Sequence, residues 1–328
     1  MIEAAAKNIY RISVPLPENP LKELNSYFIR GTDRDLLIDT GFRRKECQNA
    51  LEAGLWELKS DPAKRDVLIT HFHADHSGMA DLFAGPSRHI YMTQVEMDYD
   101  QQRICGDQLS RRKAHCTAEG FPAETLDYIF AVNPAWKLAL PAYTNQFRGL
   151  HDGDILEAGE YRLKTILVPG HTPGNAIFWA EEQKILFSGD HILFDITPNV
   201  TMWEDVEDSL GDYLNSLRKV RNIPVRLTLP GHRETGDFHG RIDALLAHHS
   251  RRIQEALQIV TGQPGLTAYE IAGQMTWRIR AQNWDEFPPI QKWFAVGEGL
   301  SHLDYLRKRG KVSREMEHGL WRYFKVSV

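Results

Sequence analysis

Short apolar runs, each stopped by glycine, aspartate or proline, fill the first 70 residues and return between residues 161 and 229. The runs at 9–14, 26–30 and 36–38 read as strands, with Gly31, Thr32, Asp33 and Arg34 as a turn before the last, which predicts a β-meander. Between 45 and 59 the period changes: Ala50, Leu51, Gly54, Leu55 and Leu58 recur at helical spacing, and residues 67–70 then return as a buried strand. A helix joining strands predicts mixed α/β layering. Further strands are expected at 161–168, 176–180, 184–188 and 225–229, with an acidic-capped helix near 208–221 between the last two.

Two stretches break this rhythm. Residues 92–150 are helical in pattern, lack strand punctuation and carry Tyr99, Phe121, Tyr128, Phe130, Trp136, Tyr143 and Phe147. A long excursion this apolar reads as an insertion or lid, with extra packed helices as the plainer alternative. After residue 240 an amphipathic pattern over 243–260 stops at Gln263, Pro264 and Gly265, a short helix starts at Thr267, and another covers 290–309. Residues 311–326 alternate around His318 and Gly319 as a hairpin would. Three helices and a terminal hairpin predict a small winged-helix-like domain at 241–328, behind a larger domain at 1–240 that holds the insertion of about 92–150.

Length and charge narrow the class. A chain of 328 residues has ample core material for two domains. Its net charge of −5 lacks the basic bias of a dedicated nucleic-acid coat. Cys47, Cys105 and Cys116 are the only cysteines and form no CxxC pair, so neither a disulfide framework nor a cysteine-rich zinc module is expected. No signal peptide or membrane span is expected either, and a reducing, cytoplasmic setting fits best.

The candidate chemistry is concentrated at strand ends. The octapeptide from His71 to Gly78 places His71, His73, Asp75 and His76 directly after the strand at 67–70. Imidazole nitrogens and carboxylate oxygens are the donors that borderline divalent ions accept, and a strand that stops abruptly can aim several at one point. His171, Asp190 and His232 each follow a glycine at the end of another apolar run. The glycines permit positive φ or close backbone approach, so the next side chain can turn inward. Five histidines and two aspartates are the inventory of a two-metal centre.

At these motifs the chain resembles the metallo-β-lactamase superfamily, over residues from about 36 to 232. The resemblance implies an αββα sandwich with the metal site at one edge of its two sheets. It also implies His71, His73 and His171 on one divalent ion, Asp75, His76 and His232 on a second, Asp190 bridging them, and Asp39 supporting the metal loop from outside. Zinc is the favoured metal, with iron or manganese as alternatives. Aspartate at 190, where the lactamases of similar fold use cysteine, argues against antibiotic hydrolysis, and His73 argues against the flavo-diiron reductases, which carry glutamate there. All seven ligands are shared with the glyoxalase II hydrolases. The tail, with His248, His249, Arg252 and Gln254 followed by the winged-helix-like end, loosely resembles the β-lactamase-like protein 2 group, which includes an endoribonuclease of single-stranded RNA.

A pair of ions about 3.5–4 Å apart activates a bridging water as a hydroxide nucleophile, so the expected function is a dinuclear metal-dependent hydrolase with Asp75 and Asp190 as catalytic carboxylates. The favoured substrate is a small ester, thioester or lactone, its acyl part covered by the aromatic insertion. In the alternative, RNA is cut, with Lys292, Arg307, Lys308, Arg309, Lys311 and Arg314 on phosphates and Trp293 or Trp321 stacking on bases. Residues 261–328 hold ten Lys/Arg against seven Asp/Glu, a net of +3, which is only mildly basic. A third reading makes the tail a dimerisation platform for a homodimer.

Overall fold

The computed structural model describes residues 1–105, 108–133, 137–278 and 281–327. Trp136 of the aromatic stretch lies outside the described residues. The chain forms two compact units, the first from residues 1–104, 134–198 and 220–241, the second from 105–133, 199–219 and 242–328.

In the first unit the strands β1 (Ile2–Ala6), β2 (Ile9–Pro15), β3 (Glu23–Ile29), β4 (Asp35–Ile38), β5 (Arg65–Leu68), β6 (Ile90–Thr93) and β7 (Phe147–Leu150) make one sheet in that order. The first four pair antiparallel and the rest parallel. The switch follows from the connection: helix α1 (Lys45–Glu57) carries the chain back to the start of β5, which a tight turn cannot do. On α1, Gly54 is required by contact, since a Cβ there would stand 2.7 Å from Ile12 Cγ2 of β2. Short helices α2 (Ala74–Ser77) and α3 (Ala80–Phe83) follow β5, and α4 (Gln94–Cys105), α5 (Gln108–Ala118) and α6 (Ala123–Val132) lie between β6 and β7.

A second sheet holds β8 (Ile155–Ala158), β9 (Tyr161–Leu167), β10 (Ala176–Ala180), β11 (Ile185–Gly189) and β12 (Leu227–Pro230), in the order β12-β11-β10-β9-β8. Only β11 and β12 run parallel. The two sheets share one core, in which Tyr27, Leu36, Ile38 and Leu68 of the first meet Leu163, Phe178, Phe187 and Leu229 of the second. Tyr27 sets its ring edge-on to Phe187 at 5.5 Å. All five residues of β10 are buried, which is why that segment reads as an unbroken apolar run.

The meander, α1 and the later strands lie where the pattern places them. Four strands escape it. β1 is alanine-rich and carries no strand propensity of its own; β6 and β8 are four residues long each, and β7 closes a stretch that the pattern reads as free of strands.

The second unit holds α5 and α6, most of α7 (Ser209–Val220) and α8 (Phe238–Gly262), then α9 (Ala268–Gln274), α10 (Pro289–Lys308) and the antiparallel pair β13 (Val312–Glu317) and β14 (Leu320–Lys325). Thr267 and Glu270 form a reciprocal capping box at the start of α9. His318 and Gly319 turn the terminal hairpin with φ of 50° and 82°, the two positive values a type I′ turn needs. The apolar side chains Phe121, Leu126 and Ile129 pack in one core with Val260, Ile271, Val296, Leu300 and Tyr323. Phe121 meets Tyr269 and Trp293 edge-on at 5.1 and 6.3 Å. That part of the aromatic stretch is therefore core, the plainer of the two expectations. No helix among the described residues is long and apolar enough to cross a membrane.

Candidate metal centre

Four strand ends of the first unit deliver the side chains. β5 runs through Ile69 and Thr70 into His71; His73 stands at the start of α2, whose single turn carries Asp75 and His76. His171 follows β9, Asp190 follows β11 and His232 follows β12. Gly170 and Gly189 have φ of 135° and 48°, so they make the inward turn that a side-chain-bearing residue resists. At Gly231 the requirement is space: a Cβ would stand 2.6 Å from Asp190 Oδ1 and 2.8 Å from His76 Cε1.

The seven side chains converge in three overlapping groups whose donor atoms lie within 4.8 Å of one another: His71, His73 and His171; His71, His76 and Asp190; Asp75, His76 and His232. His71 Nε2 is 3.0 Å from His73 Nδ1 and 3.3 Å from His171 Nε2. His76 Nε2 is 3.3 Å from His232 Nε2. Asp190 stands among both sets, with Oδ1 3.5 Å from His76 Nε2 and Oδ2 3.6 and 3.8 Å from His232 and His171 Nε2. Asp75 Oδ2 is 3.3 Å from His232 Nε2.

The hydrogen bonds behind this cluster decide which nitrogens face it. Asp39, held at a φ of 59°, accepts the Thr70 N–H on Oδ1 at 2.9 Å. Its Oδ2 accepts the Thr70 hydroxyl at 2.8 Å and His76 Nδ1 at 2.8 Å. With its proton given to Asp39, Thr70 Oγ1 accepts from His71 Nδ1 at 3.0 Å, and the Glu23 carbonyl accepts from His232 Nδ1 at 2.7 Å. Each of these three imidazoles thus spends its Nδ1 proton on an outer acceptor and turns the Nε2 lone pair inward, the arrangement that fits a cation. Asp190 Oδ1 is buried and accepts no hydrogen bond, a second sign that the donor set suits a metal ion.

Burial, aided by neighbouring imidazoles, holds His71 well below the ordinary histidine value and pushes His73 down to about 3. His76 is also buried, but Asp39, Asp190 and Asp75 overcome that and raise it well above the usual range. Asp75 is pushed down to about 2, its burial outweighed by His76 and His232. Asp190 is lowered in the same way, by His232 and His76.

Every residue singled out from the motifs lies in this one cluster, and Asp39 lies behind it. No motif marks Thr70, whose hydroxyl links Asp39 to His71, or Glu96, whose buried carboxylate accepts backbone N–H groups from Phe72 and Gly174. The Thr93 to Glu96 spacing signals a helix start, which is where Glu96 sits, but carries no sign of those contacts.

Known proteins resemble this chain. The sequence profile described as the metallo-beta-lactamase superfamily matches residues 23–232, and that of a metallo-beta-lactamase-like C-terminal domain matches 284–326. A beta-lactamase-like protein 2 homolog of Caenorhabditis elegans is 26% identical over 289 residues, covering 85% of this chain and 81% of its own. The human acyl-coenzyme A thioesterase MBLAC2 is 27% identical over 231 residues, 64% of this chain and 73% of its own. The crystal structure of a metallo-beta-lactamase family protein from Thermus thermophilus superposes with a TM-score of 0.83 at 28% identity, covering 98% of this chain and all of that one. A profile spanning most of the chain, matched from β3 to the histidine after β12, places this protein in the metallo-beta-lactamase superfamily of metal-dependent hydrolases.

Proposed function

We propose that this hydrolase cleaves a thioester with two divalent ions, zinc by donor type, held by His71, His73 and His171 on one side and by Asp75, His76 and His232 on the other. Asp190 reaches both, and Asp39 fixes the tautomers of His76 and, through Thr70, of His71. Bound there, such ions supply Lewis acidity and a water of lowered pKa. Asp75 and Asp190 present the carboxylate oxygens that would orient the attacking water toward the acyl carbon. Catalysis would rest with residues 1–240, and 241–328 would serve as a packing module.

The observation that carries a carbonyl substrate over a phosphodiester is the pairing of four of the six tail cations suited to RNA, Arg307, Lys308, Arg309 and Arg314, and of Arg322 beside them. Arg307 donates to Asp304 at 2.6 Å, Arg309 to Asp208 at 2.7 Å, Arg314 to Glu119 at 2.7 Å and Arg322 to Glu270 at 3.2 Å. Lys308 pairs with Glu207. A basic stripe for RNA needs uncompensated charge, and these residues spend theirs on carboxylates. The thioesterase activity named for the human relative points the same way. The purified, zinc-loaded protein is expected to hydrolyse members of an acyl-thioester panel and to leave single-stranded RNA intact. Cleavage of the RNA with every thioester untouched would reverse the choice.

Metal uptake should also depend on pH. A proton and a cation compete for the same imidazole nitrogen, and the carboxylates that raise His76 and His232 favour the proton. Affinity is therefore expected to rise with pH from 6 to 8, by up to about tenfold per unit for each displaced proton. Chelator competition across that range measures it, and a flat profile would show that neither histidine binds.

A further inference from the structure

One buried carboxylate outside the converging set is bonded to two of the loops that carry it. Glu96, in the first turn of α4, is fully buried. Its Oε2 accepts the Phe72 N–H at 2.8 Å, and its Oε1 accepts the Gly174 N–H at 2.6 Å. Phe72 separates His71 from His73, and Gly174 lies three residues after His171. The corner between β6 and α4 grips the second loop again, because the Thr93 hydroxyl donates to the Gly174 carbonyl at 2.7 Å. A Cβ on residue 174 would stand 2.5 Å from Glu96 N, so only glycine lets the loop come this close. The Phe72 ring stacks on Tyr99 of the same helix at 5.8 Å, which steadies the first loop from another side.

We propose that Glu96 is a positioning residue, a two-oxygen clip that sets the spacing between the loop of His71 and His73 and the loop of His171, and so the geometry of the first metal position. The inference rests on the ligand assignment above and adds the element that holds the three imidazoles together. A carboxylate offers an acceptor to each loop, and charge-assisted bonds to backbone N–H groups are short and directional. A glutamine in its place keeps the volume but has one acceptor. Its NH2 would face a backbone N–H, and one loop would be released. Outer groups of this kind commonly change metal affinity about 10- to 100-fold while the fold persists.

The test compares Glu96→Gln and Glu96→Asp with the wild-type protein, using zinc affinity from chelator competition and the absorption bands of the cobalt(II)-substituted proteins. Glu96→Gln is expected to bind zinc about 10- to 100-fold more weakly, with shifted cobalt bands and an unchanged circular dichroism spectrum. Glu96→Asp, which keeps both acceptors but is one methylene short, should fall between. A Glu96→Gln protein that matches wild type in affinity and cobalt spectrum overturns the clip and leaves the ligand assignment standing. A wild-type protein that takes up no metal overturns both. Hydrogen exchange on the wild-type protein serves even if the variants do not fold. The Phe72 and Gly174 amides should be protected, and exchange at the free-peptide rate would mean that the clip does not hold.

Discussion

Replacing Asp190 by alanine is expected to abolish hydrolysis and to lower the metal content of the purified protein. Among the described residues, Asp190 is the one carboxylate whose two oxygens face both histidine groups: Oδ1 toward His76, Oδ2 toward His171 and His232. Without it, Asp75 would be the one carboxylate left beside five neutral imidazoles for the two ions proposed above, and the charge balance of the site would shift by one full unit. Several kcal/mol of transition-state stabilisation depend on such a centre. A loss of about 4 kcal/mol corresponds to a rate about a thousandfold lower. Elemental analysis with single-turnover kinetics measures both effects. A variant that retains two metals per chain and a rate within about tenfold of wild type would remove Asp190 from the centre. His71→Ala provides the reference for loss of an imidazole.

The second large effect concerns stability in the other unit. Replacing Arg314 by methionine is expected to cost more at pH 8 than at pH 5, by up to about 1.4 kcal/mol, because it strands a buried carboxylate that escapes only by taking a proton about one unit above its pKa. Glu119 is fully buried and accepts Arg314 Nη1 at 2.7 Å and the Tyr323 hydroxyl at 2.9 Å. Burial pushes the Glu119 carboxyl up to about 7, against the pull of Tyr323 and Arg314. The sign follows from that shift. Between the ordinary carboxyl value of 4.5 and about 7 the folded protein holds a proton that the unfolded chain has lost, so the stability tied to this group is greatest in acid and falls as pH rises toward 7. The Arg314→Met penalty should accordingly shrink at pH 5, where Glu119 can be neutral, and most of it should vanish in the Glu119→Gln, Arg314→Met double variant. Urea unfolding at pH 5 and pH 8 separates these cases. An equal penalty at both values would mean that the lost contact is packing against Trp321, whose ring lies 4.1 Å below the guanidinium, and not charge.

The metal loop was legible in the chain because its information is local. A buried strand, a stop at Thr70 and candidate ligands at 71, 73, 75 and 76 follow from consecutive residues, and the glycines before His171, Asp190 and His232 mark where other strands end. The capping box at Thr267 and the positive-φ pair at His318 and Gly319 are local in the same sense. β1 and β8 were not legible, since a short alanine-rich segment and a four-residue strand become strands only when β2 and β9 accept them as partners. Nor could the burial of Phe121, Leu126 and Ile129 be read from the aromatic stretch, because their partners come from α8, α9 and α10.

By itself, then, the sequence determined the meander, α1, the strands that lead into the metal loop and into His171, Asp190 and His232, and the candidate metal-binding side chains, because periodicity, turn chemistry and ligand type act over a few neighbouring residues. Partner choice belonged to the tertiary structure. The carbonyl that orients His232 is 209 residues away at Glu23, and the carboxylate that neutralises Arg314 is 195 residues away at Glu119. Such contacts form only once the sheets and helices have packed. The inward lone pairs of the histidines, the clip at Glu96 and the paired cations of the tail are therefore properties of the folded chain, set by the low-dielectric interior in which every buried charge and donor must find an acceptor.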